Sequence, residues 1–124
     1  MLRRKLLVVE DDDTCRERMG RILRHLNYEV TSAATVSEGL AALDPPPHCI
    51  LLDLSLPDGS GEAILEKIRA DHLTSRVVVC TGECDEARLT KVREMGATAV
   101  LIKPVVLSEL VTACRISPRP RGGV

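Results

Sequence analysis

Aromatic residues are almost missing from this chain, which has one tyrosine, Tyr28, and neither tryptophan nor phenylalanine. The core therefore has to be built from Leu, Ile, Val, Ala and Met. The stacking platforms on which single-stranded nucleic acids bind are excluded with the aromatics. A charge excess is missing too. Seventeen basic side chains face eighteen acidic ones, for a net charge of −1, so bulk charge predicts no polyanionic partner and no direct contact with nucleic acid. No apolar run approaches the length that spans a bilayer, and "MLRRKLLVVEDDD" turns acidic before a signal peptide's apolar stretch can form. The expectation is a soluble, cytoplasmic protein with no membrane insertion.

Cysteine is present but unpaired in pattern. Cys15, Cys49, Cys80, Cys84 and Cys114 are odd in number and form no C-x-x-C motif. They are read as free thiols, mostly buried, in a reducing compartment. "CTGEC", from Cys80 to Cys84, is a lone pair with no histidine nearby and is weak as a metal or redox site. His25, His48 and His72 lie in unrelated segments, and neither standard Gly-rich phosphate loop occurs. At 124 residues the chain is one domain that needs no disulfide or metal to fold. Residues 1–116 are assigned to it, with 117–124 a flexible Pro/Arg/Gly tail. The basic residues at the two ends (Arg3, Arg4 and Lys5; Arg115, Arg119 and Arg121) are read as solvated termini rather than a binding groove.

What is present is an alternation of short β-like runs and helical patterns. "KLLVVE" (5–10) is a continuous apolar run, as a strand buried on both faces requires. Cys15, Met19, Ile22, Leu23 and Leu26 then fall at helical spacing, with Thr14 the expected cap. "YEVTSA" (28–33) follows as a strand and "TVSEGLAALD" (35–44) as a helix that "PPP" at 45–47 ends. Strands at 49–53, 76–80 and 98–102 alternate with helices at 61–71, 85–96 and 107–116. Five β-α units with short connections predict an α/β fold whose parallel sheet carries helices on both faces.

In such folds ligands bind at the carboxyl ends of the strands. The first strand ends in Glu10-Asp11-Asp12-Asp13, the third in Asp53, the fourth in Thr81-Gly82 and the fifth in Lys103-Pro104. Carboxylates, a hydroxyl and an ammonium would meet there in one shallow pocket. Clustered carboxylates repel, and a hard divalent cation relieves them; Mg2+ suits, since it takes a few protein oxygens and keeps open positions. With charge so neutralised, Asp53 could attack a phosphoryl group and carry it as an aspartyl phosphate. Lys103 would pair with one phosphate oxygen, the Thr81 hydroxyl would donate to another, and Gly82 would leave room. Asp12 and Asp13 read as helix-opening acids, and Asp58-Gly59 as turn chemistry.

The same residues carry a family pattern. "LLVVEDD", "LLDLSLPDGSG", "VVVCTG" and "LIKP" stand in the order and spacing of the receiver domain of bacterial two-component response regulators, which the chain resembles over about residues 4 to 116. The resemblance implies a flavodoxin-like, doubly wound (βα)5 fold with a five-stranded parallel sheet of order 2-1-3-4-5. It implies a phosphorylation-dependent signalling switch rather than an enzyme, although one that promotes its own phosphorylation and dephosphorylation. Asp53 would take phosphate from a histidine kinase or phosphotransfer protein, with Thr81 and Lys103 filling the family's two switch-and-phosphate positions. Asp11 and Asp53 would bind Mg2+ directly, Glu10 through a water, and Ser55 by its backbone carbonyl. Lys103-Pro104 would be a cis peptide. Ser55 and Glu83 would border the attacking water and set the lifetime of the phosphorylated form.

Departures from the family matter as well. Many relatives carry Tyr or Phe three residues before the lysine, where this chain has Val100, and Phe often stands where it has Val105. Thr98 and Ala99 replace two acids that one class uses for a charged dimer face, so a homodimer is left open. The downstream partner is an unnamed protein, and both a stand-alone receiver and part of a longer regulator fit. Two rival readings stand beside the switch. One is an unphosphorylated docking module. The other is a small Mg2+-dependent phosphohydrolase, which Ser55 disfavours because such enzymes need an acid two residues after the nucleophile.

Overall fold

A computed structural model of the chain describes residues 3–82 and 85–115. Its main sheet has five parallel strands in the spatial order β2-β1-β3-β6-β7: β1 (Lys5–Val9), β2 (Glu29–Ala33), β3 (Cys49–Leu52), β6 (Arg76–Thr81) and β7 (Ala99–Ile102). Counted within that sheet alone, the order is the expected 2-1-3-4-5. Two further strands, β4 (Ser55–Leu56) and β5 (Gly59–Ser60), form an antiparallel hairpin after β3. Helices α1 (Asp13–His25), α2 (Val36–Ala41), α3 (Glu62–Ala70), α4 (Glu86–Glu94) and α5 (Leu107–Arg115) complete the domain.

The continuous apolar strands are explained by burial on both sides. Leu7, Val9, Ile50, Leu52, Val77 and Val79 point into one cluster, closed by Val36 of α2, Ile64, Leu65 and Ile68 of α3, and Val92 of α4. The alternate residues Leu6, Val8, Cys49, Leu51, Val78 and Cys80 point into the other, closed by Met19 and Leu23 of α1 and by Leu110, Ala113 and Cys114 of α5. A period of two sends successive side chains to opposite layers, so neither layer tolerates a polar residue. Tyr28 sits at the edge of the second layer, where its hydroxyl donates to the Cys114 carbonyl at 3.2 Å. Cys49, Cys80 and Cys114 are buried free thiols and Cys15 is a partly buried one. Burial pushes the Cys80 thiol up to about 12, consistent with an unreactive core role.

Three local expectations change. Asp12, not Thr14, caps α1: its carboxylate accepts from the Cys15 amide at 2.8 Å. In "DDDT" every residue is a competent cap, and pattern alone does not choose among them. Helix α2 stops at Ala41 rather than running to 44, because the Ala42 and Leu43 amides tighten onto Gly39 and Leu40 carbonyls three residues back. Asp58 does more than shape a turn. Its carboxylate reaches the Val36 and Ser37 amides at 2.7 and 3.1 Å, tying the hairpin to the start of α2. Those two amides hold the Asp58 carboxyl below the usual range. Cys84, residues 117–124 and Arg119 and Arg121 within them lie outside the described residues.

Candidate functional site

Every strand of a parallel sheet delivers its last residue to the same edge, and ladder hydrogen bonds extend one residue beyond β1, β3 and β7. The Glu10 amide donates to Ala33, the Asp53 amide to Val9 and the Lys103 amide to Thr81, at 3.0, 3.0 and 2.8 Å. The backbones carrying the functional side chains are thus fixed by the sheet rather than by loops. Thr81 is the last residue of β6, 1 % exposed, in register with Ile102. Lys103 is joined to Pro104 by a cis peptide bond, as expected, and Asp44-Pro45 is also cis.

The side chains converge. Lys103 Nζ donates to Glu10 Oε1 at 2.7 Å and to Asp53 Oδ2 at 3.2 Å. The other oxygens of those carboxylates accept from backbone: Glu10 Oε2 from the Asp12 amide and Asp53 Oδ1 from the Ser55 amide, both at 3.2 Å. Arg16 fixes the turn from below, donating to the Glu10 carbonyl at 2.9 Å. Glu10 is 2 % exposed and Asp53 7 %, so two acids share a nearly dry corner with one cation. Burial raises the Glu10 pKa; Lys103 and the Asp12 amide pull it down, but the Asp53 carboxylate works with burial. Burial would lower the Lys103 pKa, yet Glu10 and Asp53 outweigh it and hold the ammonium well above its ordinary range. Among the described residues, one cation for two acids leaves the corner short of positive charge.

A divalent cation fits that shortfall. Glu10, Asp11 and Asp53 each offer one carboxylate oxygen within 4.8 Å of the others, with Asp11 exposed at the mouth. The donors are hard oxygens alone, the set that Mg2+ favours. The Ser55 amide is aimed at Asp53. Glu83, expected at the rim of the site, lies outside the described residues. Val100 is half-buried and packs into the layer facing α3 and α4, while Val105 packs into the α1/α5 layer.

One constellation beside the site was not read from the sequence. Arg88 of α4 donates from Nε and Nη2 to the two carboxylate oxygens of Glu62 on α3, at 2.9 Å each, and from Nη2 to the Leu54 carbonyl at 3.3 Å. The only sequence signal is an arginine in the first turn of a helix, against the dipole. The Arg88 guanidinium holds the Glu62 carboxyl down at about 2, with Ser60 Oγ also bonded to it. A carboxylate with a depressed folded pKa stabilises above its unfolded value of 4.5 and loses that contribution as pH falls towards 2. Glu62→Gln is therefore expected to cost about 2 kcal/mol at neutral pH, after allowing for solvent screening of a partly exposed pair. Urea unfolding of both proteins should show the gap shrinking as pH drops from 4.5 towards 2; a pH-independent gap would mean lost packing instead.

The fold and the strand-end site together define a class. Residues 6–115 match the response regulator receiver domain, and the chain belongs to that family, a module of two-component signal transduction. It is similar to the acid tolerance regulatory protein ActR of Rhizobium meliloti (strain 1021), 33% identical over 119 residues, covering 95% of this chain and 61% of that protein. The chain thus spans about three fifths of ActR's length. Among solved structures it is similar to the non-phosphorylated HemR receiver domain from Leptospira biflexa, with TM-score 0.86 and 28% identity over 97% of this chain and 100% of that one. A CheY-like receiver domain protein from Methanospirillum hungatei JF-1 superposes with TM-score 0.84 and 31% identity, covering 89% of each chain. Among the described residues no helix is long and apolar enough to cross a membrane.

Proposed function

We propose that this receiver domain is a cytoplasmic switch that accepts a phosphoryl group on Asp53 from a phosphohistidine of a kinase or phosphotransfer protein. An Asp53 oxygen bonds to phosphorus as the bond from phosphorus to the imidazole nitrogen breaks, and the imidazole leaves with the electron pair and takes up a proton. The observation that carries the reading is the bridging of Glu10 and Asp53 by Lys103 at the strand ends. An ammonium already placed against the acceptor can follow the charge onto a phosphoryl oxygen without reorganisation. The Thr81 hydroxyl, on the neighbouring strand end, donates to a second oxygen.

Asp11 and Asp53 would hold Mg2+ directly, with Glu10 acting through a water and Ser55 through its carbonyl. The ion supplies neutralisation of the phosphoryl oxygens. Occupancy of Asp53 then changes the affinity of the face built by α4, β7 and α5 for a downstream protein. Ile102, which ends β7, is 42 % exposed and offers that face an apolar contact. The reaction is catalytic only on the domain itself.

The test is intact-protein mass after incubation with a small acyl-phosphate donor, with and without Mg2+, for the wild type and Asp53→Asn. A gain of one phosphoryl group that requires Mg2+ and disappears in the variant is expected. No gain with acyl-phosphate or histidine-phosphorylated donors would replace this reading with the docking module.

A further inference from the structure

Helix α4 starts with a side chain that its own dipole disfavours. Asp85 caps it, accepting from the Ala87 amide at 3.0 Å, and Glu86 suits the positive terminus. Arg88, in the same turn, does not. Among the described residues its guanidinium bonds the Glu62 carboxylate that opens α3 and the carbonyl of Leu54. Leu54 directly follows the acceptor Asp53. One side chain therefore joins α4, α3 and the backbone one residue beyond the phosphoacceptor. A planar fork on a carboxylate is geometrically exacting, and a flexible ammonium could not make these contacts together.

That join lies where movement at the site must arrive. Thr81 ends β6, and only two residues separate Gly82 from the cap Asp85. Thr81 and Asp85 are thus close in sequence, and a displacement of Thr81 towards an occupied Asp53 would reach the first turn of α4 within a few residues. Hydrogen bonds at 2.9 Å weaken steeply as length and angle degrade. Val100 offers no other route of comparable reach, being a stiff β-branched side chain packed against the α3/α4 layer.

We propose that the Glu62–Arg88 fork, anchored on the Leu54 carbonyl, is a latch that holds α4 in its resting position and is surrendered when Asp53 is occupied. Glu62 and Arg88 are then positioning residues. The inference rests on Asp53 being the acceptor. A contact made only in the resting conformer biases the equilibrium against the occupied one, so removing it raises the affinity of Asp53 for a phosphoryl mimic.

The experiment is titration of the full chain with beryllofluoride in the presence of Mg2+, followed by fluorine NMR. The proteins are the wild type, Glu62→Gln, Arg88→Gln, the double variant and Arg88→Lys. Each single variant is expected to bind about fivefold tighter or more, and the double variant no tighter than the stronger single one, since both release the same latch. Arg88→Lys, which keeps the charge in the first turn but loses the fork, should tighten binding too, and it serves if Arg88→Gln fails to fold. Wild-type binding with unchanged or weaker binding in the variants would overturn the latch and leave the acceptor reading intact. No binding by the wild type would overturn the acceptor reading and the latch with it.

Discussion

Replacing Lys103 with methionine is expected to slow phosphoryl transfer to Asp53 by about 100-fold or more, the cost typical of losing one preorganised donor to developing charge. The same change should destabilise the Mg2+-free fold by about 1–3 kcal/mol at neutral pH. The ammonium lies 2.7 Å from Glu10 and 3.2 Å from Asp53, and neither acid has much solvent of its own. Without it two buried carboxylates repel across a short gap, worth about 4 kcal/mol at 4 Å in a medium of moderate polarity. The Glu10 pKa is already raised, so protonation of that acid caps the loss. Methionine preserves the length and apolar stem of lysine, which removes lost packing as the cause. Urea unfolding in a chelator and in Mg2+ separates the terms: the ion should restore part of the stability and little of the phosphorylation rate. A variant as stable as the wild type in the chelator would show that the bridge is worth no more than a surface pair.

How far the sequence predicts this molecule depends on how many residues carry each signal. Strands β1, β3 and β6 are readable because each is buried on two faces and so becomes an almost unbroken apolar run, whereas the edge strand β2, EVTSA, is mostly exposed and shows only a weak alternation. The strand-end residues follow from that, since a parallel sheet brings Glu10, Asp53, Thr81 and Lys103 to one edge whatever the loops do. The β4–β5 hairpin was not readable: two residues per strand are too few to show a period. Asp58 as the tie to α2, and Arg88 as the tie to Glu62 and Leu54, join segments more than 20 residues apart through one side chain each. A single long-range polar contact leaves no periodic trace. Only the cost it offsets, an arginine in a helix's first turn, is visible beforehand.

Close backbone approach leaves an equally faint trace, and it sets the second large effect. Gly61→Ala is expected to slow phosphorylation of Asp53 by about tenfold or more, since sub-ångström displacement of a reacting group is costly. It should also cost about 1–3 kcal/mol of stability through overpacking. A Cβ at Gly61 would lie 2.4 Å from the Asp53 carbonyl oxygen and 3.1 Å from the Leu54 Cα. Both are backbone, so either the start of α3 or the acceptor's own peptide must move. Backbone strain is not the cause, because Gly61 has φ −59° and ψ −21°, which alanine adopts freely. Gly39→Ala is the matched control. Its Cβ would meet Ile64 Cδ1 at 2.7 Å, the tip of a flexible side chain, and alanine in a helix regains about 1 kcal/mol of propensity. Its stability should stay near the wild type's and its phosphorylation unchanged. Phosphorylation rates by intact mass, beside urea unfolding, decide between them. If Gly61→Ala folds and takes up phosphate at the wild-type rate, the packing of α3 against the Asp53 peptide plays no part in placing the acceptor.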